Sequence, residues 1–220
     1  MMPADVLPLD VVDLVFPLRG RRLPMDHGYL LYGALCRVLP SIHDAPWLGV
    51  HPVRGRRRVD GMLSFSPHAQ LVLRLPAERI PEVLPLAGKA LIVGGNRFFV
   101  GAPRVQRLIP AASLDARLVV IRLTQIPRRS DGTLDKAAMQ AQFLDELLRQ
   151  LERLDVRCSP QLTGRQEIVV HDRRLLGWSV RLCGLDPEAS LRVQAYGLGG
   201  KRALGCGVFV PTRGKAAGGR

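Results

Sequence analysis

The predicted elements follow the same order in both halves of the chain, and this repetition constrains the fold more than any other feature. In the first half, apolar patterning predicts a strand at residues 11–18, a helix at 27–39, strands at 62–65 and 71–75, a short helix at 80–86, and strands at 90–93 and 97–100. In the second half it predicts a strand at 116–123, a helix at 133–154, a hairpin of 167–170 and 175–182, a helix at 186–196, and a last strand at 208–210. When the hairpin formed by 90–93 and 97–100 is counted as one final element, each half has the order β-α-β-β-α-β, and we predict an α+β protein of two tandem ferredoxin-like (βαββαβ) units.

Three of the predicted helices have clear local signals. The apolar face of the first, at the spacing i, i+3, i+4, i+7, consists of Leu31, Ala34, Leu35 and Val38. Asp26 is its predicted N-cap, and Thr133 is the predicted N-cap of the long helix. The apolar stripe of the long helix consists of Phe143, Leu144, Leu147, Leu148 and Leu151. The third helix starts at Asp186-Pro187-Glu188, which combines a cap, a proline in the first turn and an early acidic residue.

The two predicted units divide the 220 residues at about residue 112, because a proline and small residues occupy positions 109–113. We therefore predict one unit at 1–112, a second at 113–212, and a basic, mobile tail at 213–220. No apolar run approaches the roughly 18 residues that span a bilayer, and the first residues do not have the pattern of a secretory signal. The sequence thus predicts a cytoplasmic protein with no membrane partner.

Charge indicates the kind of molecule that the chain binds. There are 32 basic residues, 28 of them arginine, against 19 acidic residues, for a net charge of +13. Arginine binds phosphate with two parallel hydrogen bonds and stacks on bases, so the excess predicts a nucleic-acid ligand. An acidic protein and an anionic membrane surface are the alternatives.

The cysteines predict neither a metal site nor disulfides. Cys36, Cys158, Cys183 and Cys206 are isolated from one another and have no nearby histidine at zinc-ligand spacing. We expect buried free thiols. The sequence also contains no carboxylate cluster or histidine pair at metal-ligand spacing, and we predict no metal and no cofactor.

The most informative segment is GLGGKRALGCG at residues 197–207, which has the pattern G-h-G-x5-G-h-G, with h an apolar residue. Glycine allows the backbone to adopt positive φ and to approach a ligand closely, so the N–H groups of such a segment can face a phosphate. No GK[ST] sequence occurs, and the segment precedes a strand, so it is not a Walker loop. We predict that it binds RNA through Gly197, Gly199, Gly200, Lys201, Arg202, Gly205 and Gly207.

This glycine motif, at the carboxyl end of tandem ferredoxin-like units, resembles the RAMP superfamily of CRISPR proteins. Within that superfamily, the chain resembles the repeat-specific endoribonucleases that process precursor CRISPR RNA, in their myxan-type variant. The resemblance extends from Asp26-His27-Gly28-Tyr29 through Ser41-Ile42-His43-Asp44 to the glycine-rich segment. It implies a metal-independent cleavage at the 3′ base of the repeat stem-loop, in which the ribose 2′-OH attacks the adjacent phosphate. The products are a 2′,3′-cyclic phosphate and a 5′-OH.

The resemblance also implies candidate catalytic residues. The catalytic histidine of this family lies on or just after the first helix, which leaves His43 and His27 as alternatives. Histidine is suited to take a proton from the 2′-OH or to give one to the leaving oxygen. Tyr32, or else Tyr29, is a candidate for assisting proton transfer or for stacking on a base. Further predicted RNA contacts are made by Arg54, Arg56 and Arg57 in a basic loop, and by Arg173 and Arg174 in the second hairpin.

The implied ligand is CRISPR repeat RNA, with the processed crRNA as product. Retention of that product would make the protein a subunit of a crRNA-guided effector complex, with the other subunits as partners. An alternative from another class is a non-catalytic RAMP scaffold subunit that binds crRNA through the same surfaces. A general RNA-binding protein, such as a ribosomal component, is a third reading that leaves the glycine motif unexplained.

Overall fold

The structure, a computed structural model, describes residues 10–123, 127–170 and 173–212, with the backbone alone at residue 173. In the first half, the strands are β1 (Val11–Gly20), β2 (Arg22–Pro24), β3 (Gly49–Val50), β4 (Arg56–Arg57), β5 (Met62–Ser64), β6 (Gln70–Pro76), β7 (Ala90–Val93), β8 (Asn96–Val100) and β9 (Arg104–Arg107). The helices of this half are α1 (Gly28–Val38) and the short α2 (Ile80–Val83). The main sheet has the order β3-β6-β1-β8-β7, and β9 also pairs with β1.

The second half contains β10 (Ser113–Val119), α3 (Lys136–Arg153), β11 (Ser159–Val170), β12 (Arg173–Cys183), α4 (Pro187–Tyr196) and β13 (Val210–Pro211). Its sheet has the order β11-β12-β10-β13, which places the second, third, first and fourth strands side by side. The same order occurs in the first half as β3-β6-β1-β8. The predicted α+β fold of two ferredoxin-like units is confirmed.

One strand of the first unit was assigned wrongly from the sequence. The predicted second strand at 62–65 corresponds to β5, which pairs with β2 and β4 in a separate three-stranded sheet. The second strand of the unit is instead β3, which pairs with β6 through only two residues, Gly49 and Val50. Two residues are too few to show the alternation by which a strand is recognised in sequence.

Two of the three predicted caps were also wrong. Asp26 does not cap α1, since its Oδ2 accepts the N–H of Val169 in β11 at 3.0 Å. The cap of α3 is Asp135 rather than Thr133, with Oδ1 accepting the N–H groups of Ala137 and Ala138 at 3.1 and 3.0 Å. The cap at Asp186 is confirmed by its contact with the Ala189 N–H at 2.8 Å.

Each half has its own hydrophobic core. The first core consists of buried side chains between Leu14 and Val100, and the second consists of side chains between Leu114 and Phe209. We propose a unit boundary at residues 112 and 113, between β9 and β10. None of the helices in the described ranges is long and apolar enough to cross a bilayer. The predicted turn at 171–172 and the predicted tail at 213–220 lie outside the described residues.

Arg74 forms a buried ion pair within the first unit and also makes hydrogen bonds to the second unit. Arg74 of β6 is only 1% exposed, and its guanidinium donates to both carboxylate oxygens of Asp13 at 2.7 and 2.8 Å. The same group donates to the backbone oxygens of Gln194 and Phe209 in the second unit at 2.9 and 2.6 Å. Burial alone would raise the pKa of Asp13, but hydrogen bonds from Arg74 and His51 hold it well below its usual range. This link was not predicted from the sequence, because it joins residues more than 100 positions apart.

The cysteines agree with the sequence prediction in part. All four are free, but only Cys206 is fully buried, and the other three are partly exposed. Burial raises the pKa of the Cys206 thiol to about 12. A thiol with so high a pKa is almost entirely protonated at neutral pH and is a poor nucleophile.

Candidate active site

A cleft of about 650 Å³ lies where the first helix meets the glycine-rich segment, and both units contribute to it. On one side it is lined by α1 and the turn that follows, with Tyr29, Tyr32, Cys36, His43 and Asp44. On the other side it is lined by Gly199, Gly200, Lys201, Arg202, Ala203 and Leu204, together with Val170 at the end of β11. The structure therefore brings the predicted histidine His43 together with the predicted RNA-binding segment, more than 150 positions away.

His43 is accessible in this cleft. A short 3₁₀ turn, Pro40–Ile42, follows α1, and the buried side chain of Ile42 anchors it in the first core. The His43 side chain is 67% exposed, and its Nδ1 lies 3.1 Å from Oδ2 of Asp44. Its ring stacks beside that of Tyr32, with centroids 6.4 Å apart and planes at 28°. Among the described residues, Nε2 has no polar partner, so it is the ring nitrogen that can exchange a proton with a ligand.

His27 has a different environment, and the structure argues against a catalytic role for it. The residue is 2% exposed. Its Nδ1 lies 3.0 Å from the Pro24 oxygen and 3.2 Å from the Met25 oxygen, while Nε2 accepts the Val53 N–H at 3.0 Å. Both nitrogens are thus occupied by backbone groups, with the proton on Nδ1. Burial lowers the pKa of His27, which keeps the ring neutral.

The lowered pKa of His27 leads to a prediction about stability. The unfolded chain binds a proton at this ring below about pH 6.5, whereas the native ring remains neutral. The unfolded state therefore binds more protons, and the free energy of unfolding should fall as the pH drops below about 6.5. His51, whose pKa is also lowered by burial, acts in the same direction. The expected slope is at most about 1.4 kcal/mol per pH unit for each ring.

Urea denaturation between pH 7.5 and 5 measures this slope. His27→Gln should be less stable than the wild type at pH 7.5 and should show a shallower pH dependence. Equal slopes in the two proteins would show that His27 does not stay neutral in the native state.

The hydroxyl of Tyr32 is occupied by backbone groups. It donates to the Ile42 oxygen at 3.3 Å and accepts the Asp44 N–H at 2.9 Å. Burial raises the pKa of Tyr32, which keeps the hydroxyl protonated. These contacts fit a residue that holds the turn carrying His43 better than the proton-transfer role predicted from the sequence. Tyr29 lines the same cleft.

The paired glycines are required by a close approach of two backbone segments. At Gly197, with φ of 67°, an added β-carbon would lie 2.3 Å from the Gly207 oxygen. At Gly207, with φ of 63°, it would lie 2.1 Å from the Leu198 oxygen. Any side chain at these positions would collide with backbone that cannot move aside. The G-h-G…G-h-G spacing thus packs the two ends of the segment against each other.

The predicted phosphate cradle of glycine N–H groups is not found. Those of Gly199 and Gly200 bind Oε1 of Gln150 and the Val120 oxygen at 2.7 and 2.8 Å. Those of Gly197, Gly205 and Gly207 bind backbone oxygens of Val193, Arg202 and Leu118 at 2.9, 3.0 and 2.7 Å. Because these donors already have partners inside the protein, the N–H groups of the five glycines are not available to bind a phosphate. Within the described part of the segment, the N–H groups with no such partner are those of Lys201, Arg202 and Ala203.

The two cations of the segment differ in exposure. Lys201 has a left-handed backbone, with φ of 65°, and its side chain is exposed. The Arg202 guanidinium is turned inward, and its Nη2 donates to the Ala195 oxygen at 2.7 Å. Burial, together with the charge of Arg74, lowers the pKa of Arg202 to about 10. Lys201 is therefore the better placed of the two to reach a phosphate in the cleft.

The remaining predicted RNA-binding arginines whose side chains are described lie outside this cleft. Arg54 and Arg57 line a separate cleft of about 630 Å³ between the two units. Its further basic residues are Arg117 and Arg181, the latter paired with Asp115 at 2.7 Å. Arg56 is exposed on β4. Arg174 is exposed in β12, 3.7 Å from Glu167, and the side chain of Arg173 lies outside the description.

The described residues contain no group of three or more histidine, cysteine, aspartate or glutamate side chains that could hold a metal ion. What the lining of the cleft does provide is the accessible imidazole of His43, the exposed ammonium group of Lys201 and the guanidinium of Arg202. An imidazole and a cation can together transfer a proton and stabilise a developing negative charge.

Comparisons with known structures agree with this fold. A structure described as "CRISPR associated protein Cas6" superposes with a TM-score of 0.67 at 15% identity, over 93% of this chain and all of that one. One of a Cas6-related gene product from Pyrococcus furiosus gives 0.64 at 16% identity, over 90% and 97%. Another, described as a RAMP protein binding different RNA substrates, gives 0.64 at 14% identity, over 92% and 100%. These structures place the chain in the class of tandem ferredoxin-like proteins.

Sequence comparison identifies the family within that class. The family model for Cas6, described as "Cas6 Crispr", matches residues 12–214. The "CRISPR-associated endonuclease Cas6" of Myxococcus xanthus (strain DK1622) is 37% identical over 206 residues, which cover 94% of this chain and 83% of that protein. The chain belongs to the Cas6 family of CRISPR proteins, and the resemblance seen in the sequence is confirmed.

Proposed function

We propose that this protein is a metal-independent endoribonuclease that binds CRISPR repeat RNA and cleaves precursor crRNA at the 3′ base of the repeat stem-loop. The observation that carries the proposal is the meeting of His43 and Lys201, from different units, in one accessible cleft. The 37% identical relative, which is named as a CRISPR-associated endonuclease, supports the reaction class.

The reaction transfers protons and needs positive charge. The ribose 2′-OH attacks the adjacent phosphorus as it loses its proton, and the bond to the 5′ oxygen breaks as that oxygen gains a proton. We assign one of these proton transfers to His43 through Nε2. Lys201 would stabilise the additional negative charge on the phosphate oxygens. The products are a 2′,3′-cyclic phosphate and a 5′-OH fragment.

The RNA-binding surface that we propose consists of several basic regions around the glycine-rich segment. Lys201 and Arg202 are at the cleft, and Arg174 with Arg173 would contact the stem of the repeat. Arg54 and Arg57 in the second cleft would hold an unpaired part of the RNA. The exposed Arg56 would add to the positive electrostatic potential there. A net charge of +13 supports long-range attraction of a polyanion. Tight product binding would make the protein a subunit of a crRNA-guided effector complex.

Cleavage of a labelled cognate-repeat RNA in excess EDTA tests this function. We expect wild-type cleavage to continue in EDTA and to stop when the nucleotide before the scissile phosphate is 2′-deoxy. Loss of cleavage in EDTA would contradict the metal-independent mechanism. Tight binding with no cleavage in any buffer would instead indicate the non-catalytic scaffold.

A further inference from the structure

We infer that Asp44 is a positioning residue that sets the tautomer of His43, and that Tyr32 holds Asp44 in the backbone conformation this role requires. The inference rests on the proposed function, which it deepens. It assigns a role to a residue for which sequence alone gave no geometry, since neighbouring side chains usually point apart.

The backbone at Asp44 explains how two adjacent side chains meet. In an extended chain, successive side chains project to opposite faces. Asp44 instead has φ of 56°, in the left-handed region, and its carboxylate lies 3.1 Å from Nδ1 of the preceding ring. Aspartate and asparagine enter this region more readily than most residues other than glycine. The Tyr32 hydroxyl, 2.9 Å from the Asp44 nitrogen, accepts its N–H and fixes the turn.

The chemistry of the contact determines which nitrogen of His43 reacts. An ionised carboxylate only accepts hydrogen bonds, so it favours the tautomer with the proton on Nδ1. The lone pair is then on Nε2, and the carboxylate also stabilises the ring after it has gained a second proton. The charged groups lining the cleft around this ring are Asp44, Lys201 and Arg202, and the other titratable groups lining it are Tyr29, Tyr32 and Cys36.

The strength of the contact depends on whether the cleft is filled. In the free protein the two side chains are 67% and 86% exposed, so the pair contributes little to stability. RNA in the cleft would displace water, and the lower dielectric would strengthen the attraction between the carboxylate and a charged imidazole. Asp44 should therefore affect the cleavage step more than folding or RNA binding.

Three substitutions separate the backbone role of Asp44 from the carboxylate role. Asp44→Gly keeps the left-handed turn but removes the acceptor. Asp44→Asn keeps the turn and an acceptor oxygen but removes the charge. Tyr32→Phe removes the hydroxyl that fixes the turn and leaves the side chains of His43 and Asp44 chemically unchanged.

The measurements are the single-turnover cleavage rate at saturating RNA, the Kd for RNA, and the 15N NMR signals of the His43 ring. For Asp44→Gly we expect a rate about tenfold lower, equivalent to about 1.4 kcal/mol in the barrier, with Kd within about twofold of the wild type. The NMR signals should shift towards the Nε2-protonated tautomer. Asp44→Asn should keep the wild-type tautomer and lose less of the rate. Tyr32→Phe should also lower the cleavage rate and shift the ring signals towards the Nε2-protonated tautomer, as Asp44→Gly does.

Wild-type rate and NMR signals in Asp44→Gly would overturn the inference, because the residue would then serve only the turn. A rate loss in Tyr32→Phe with unchanged ring signals would instead assign Tyr32 directly to proton transfer. If the wild type does not cleave RNA, the proposed function fails, but the NMR signals still decide whether Asp44 sets the tautomer.

Discussion

Substitution of His43 by alanine is expected to lower the single-turnover rate of repeat-RNA cleavage by about 10²- to 10⁴-fold, the usual contribution of one acid–base group. The Kd for the RNA should change by less than about threefold, because the phosphate-binding cations remain. The free energy of unfolding should also be nearly unchanged, since the side chain is 67% exposed. Gel-resolved cleavage with enzyme in excess measures the rate, and a binding titration measures the Kd.

His68→Ala is the matched control for this experiment. His68 is also an exposed histidine of the first unit, but it lines a cavity that does not include His43. Its loss should leave the cleavage rate within about twofold of the wild type. If His43→Ala cleaved at the wild-type rate, or if both variants lost activity equally, the assignment of His43 would be wrong.

Substitution of Arg74 by alanine is expected to lower the free energy of unfolding by about 3–5 kcal/mol, the cost of breaking a buried ion pair from one side. Among the described residues, the loss would leave His51 as the one side-chain partner of the Asp13 carboxylate. It would also remove the hydrogen bonds that the Arg74 guanidinium donates to the backbone oxygens of Gln194 and Phe209. Chemical denaturation of the wild type and the variant measures the difference.

Arg149→Ala is the control for an arginine that forms only a surface ion pair. Arg149 lies on α3 with 63% of its side chain exposed, and it pairs with Glu146 at 3.1 Å. Such a pair contributes less than about 1 kcal/mol. A small effect of Arg74→Ala, equal to that of Arg149→Ala, would show that the buried link does not hold the two units together.

The element order was predictable because its signals are local. Leu31, Ala34 and Leu35 are all buried on one face of α1, as their spacing indicated, and Asp186 caps α4 through its own turn. The failures occurred where pairing across the chain decides the outcome. The two residues of β3 become a strand only because β6 is beside them, and Asp26 accepts a hydrogen bond from β11 rather than from its own helix.

In the candidate site, too, local features could be predicted from the sequence, whereas contacts between distant residues could not. Both His27 and His43 lie close to the first helix, and nothing in the sequence separates a buried ring from an accessible one. The glycine motif was recognisable, but the partners of its N–H groups were not, because Gln150 and Val120 are 49 and 80 positions away from theirs. The structure shows that these N–H groups are already paired and that Gly197 and Gly207 allow two backbone segments to pack closely.

The sequence alone determined the class of fold, the basic character of the surface and the family, since periodicity, composition and a glycine motif are properties of the chain itself. Only the tertiary structure decided which histidine is accessible, which donors are already satisfied, and which cation shares a cleft with His43. These properties depend on burial and on contacts between residues distant in sequence. They arise only when the chain folds, and the cleft shared by His43 and Lys201 arises only when the two units pack together.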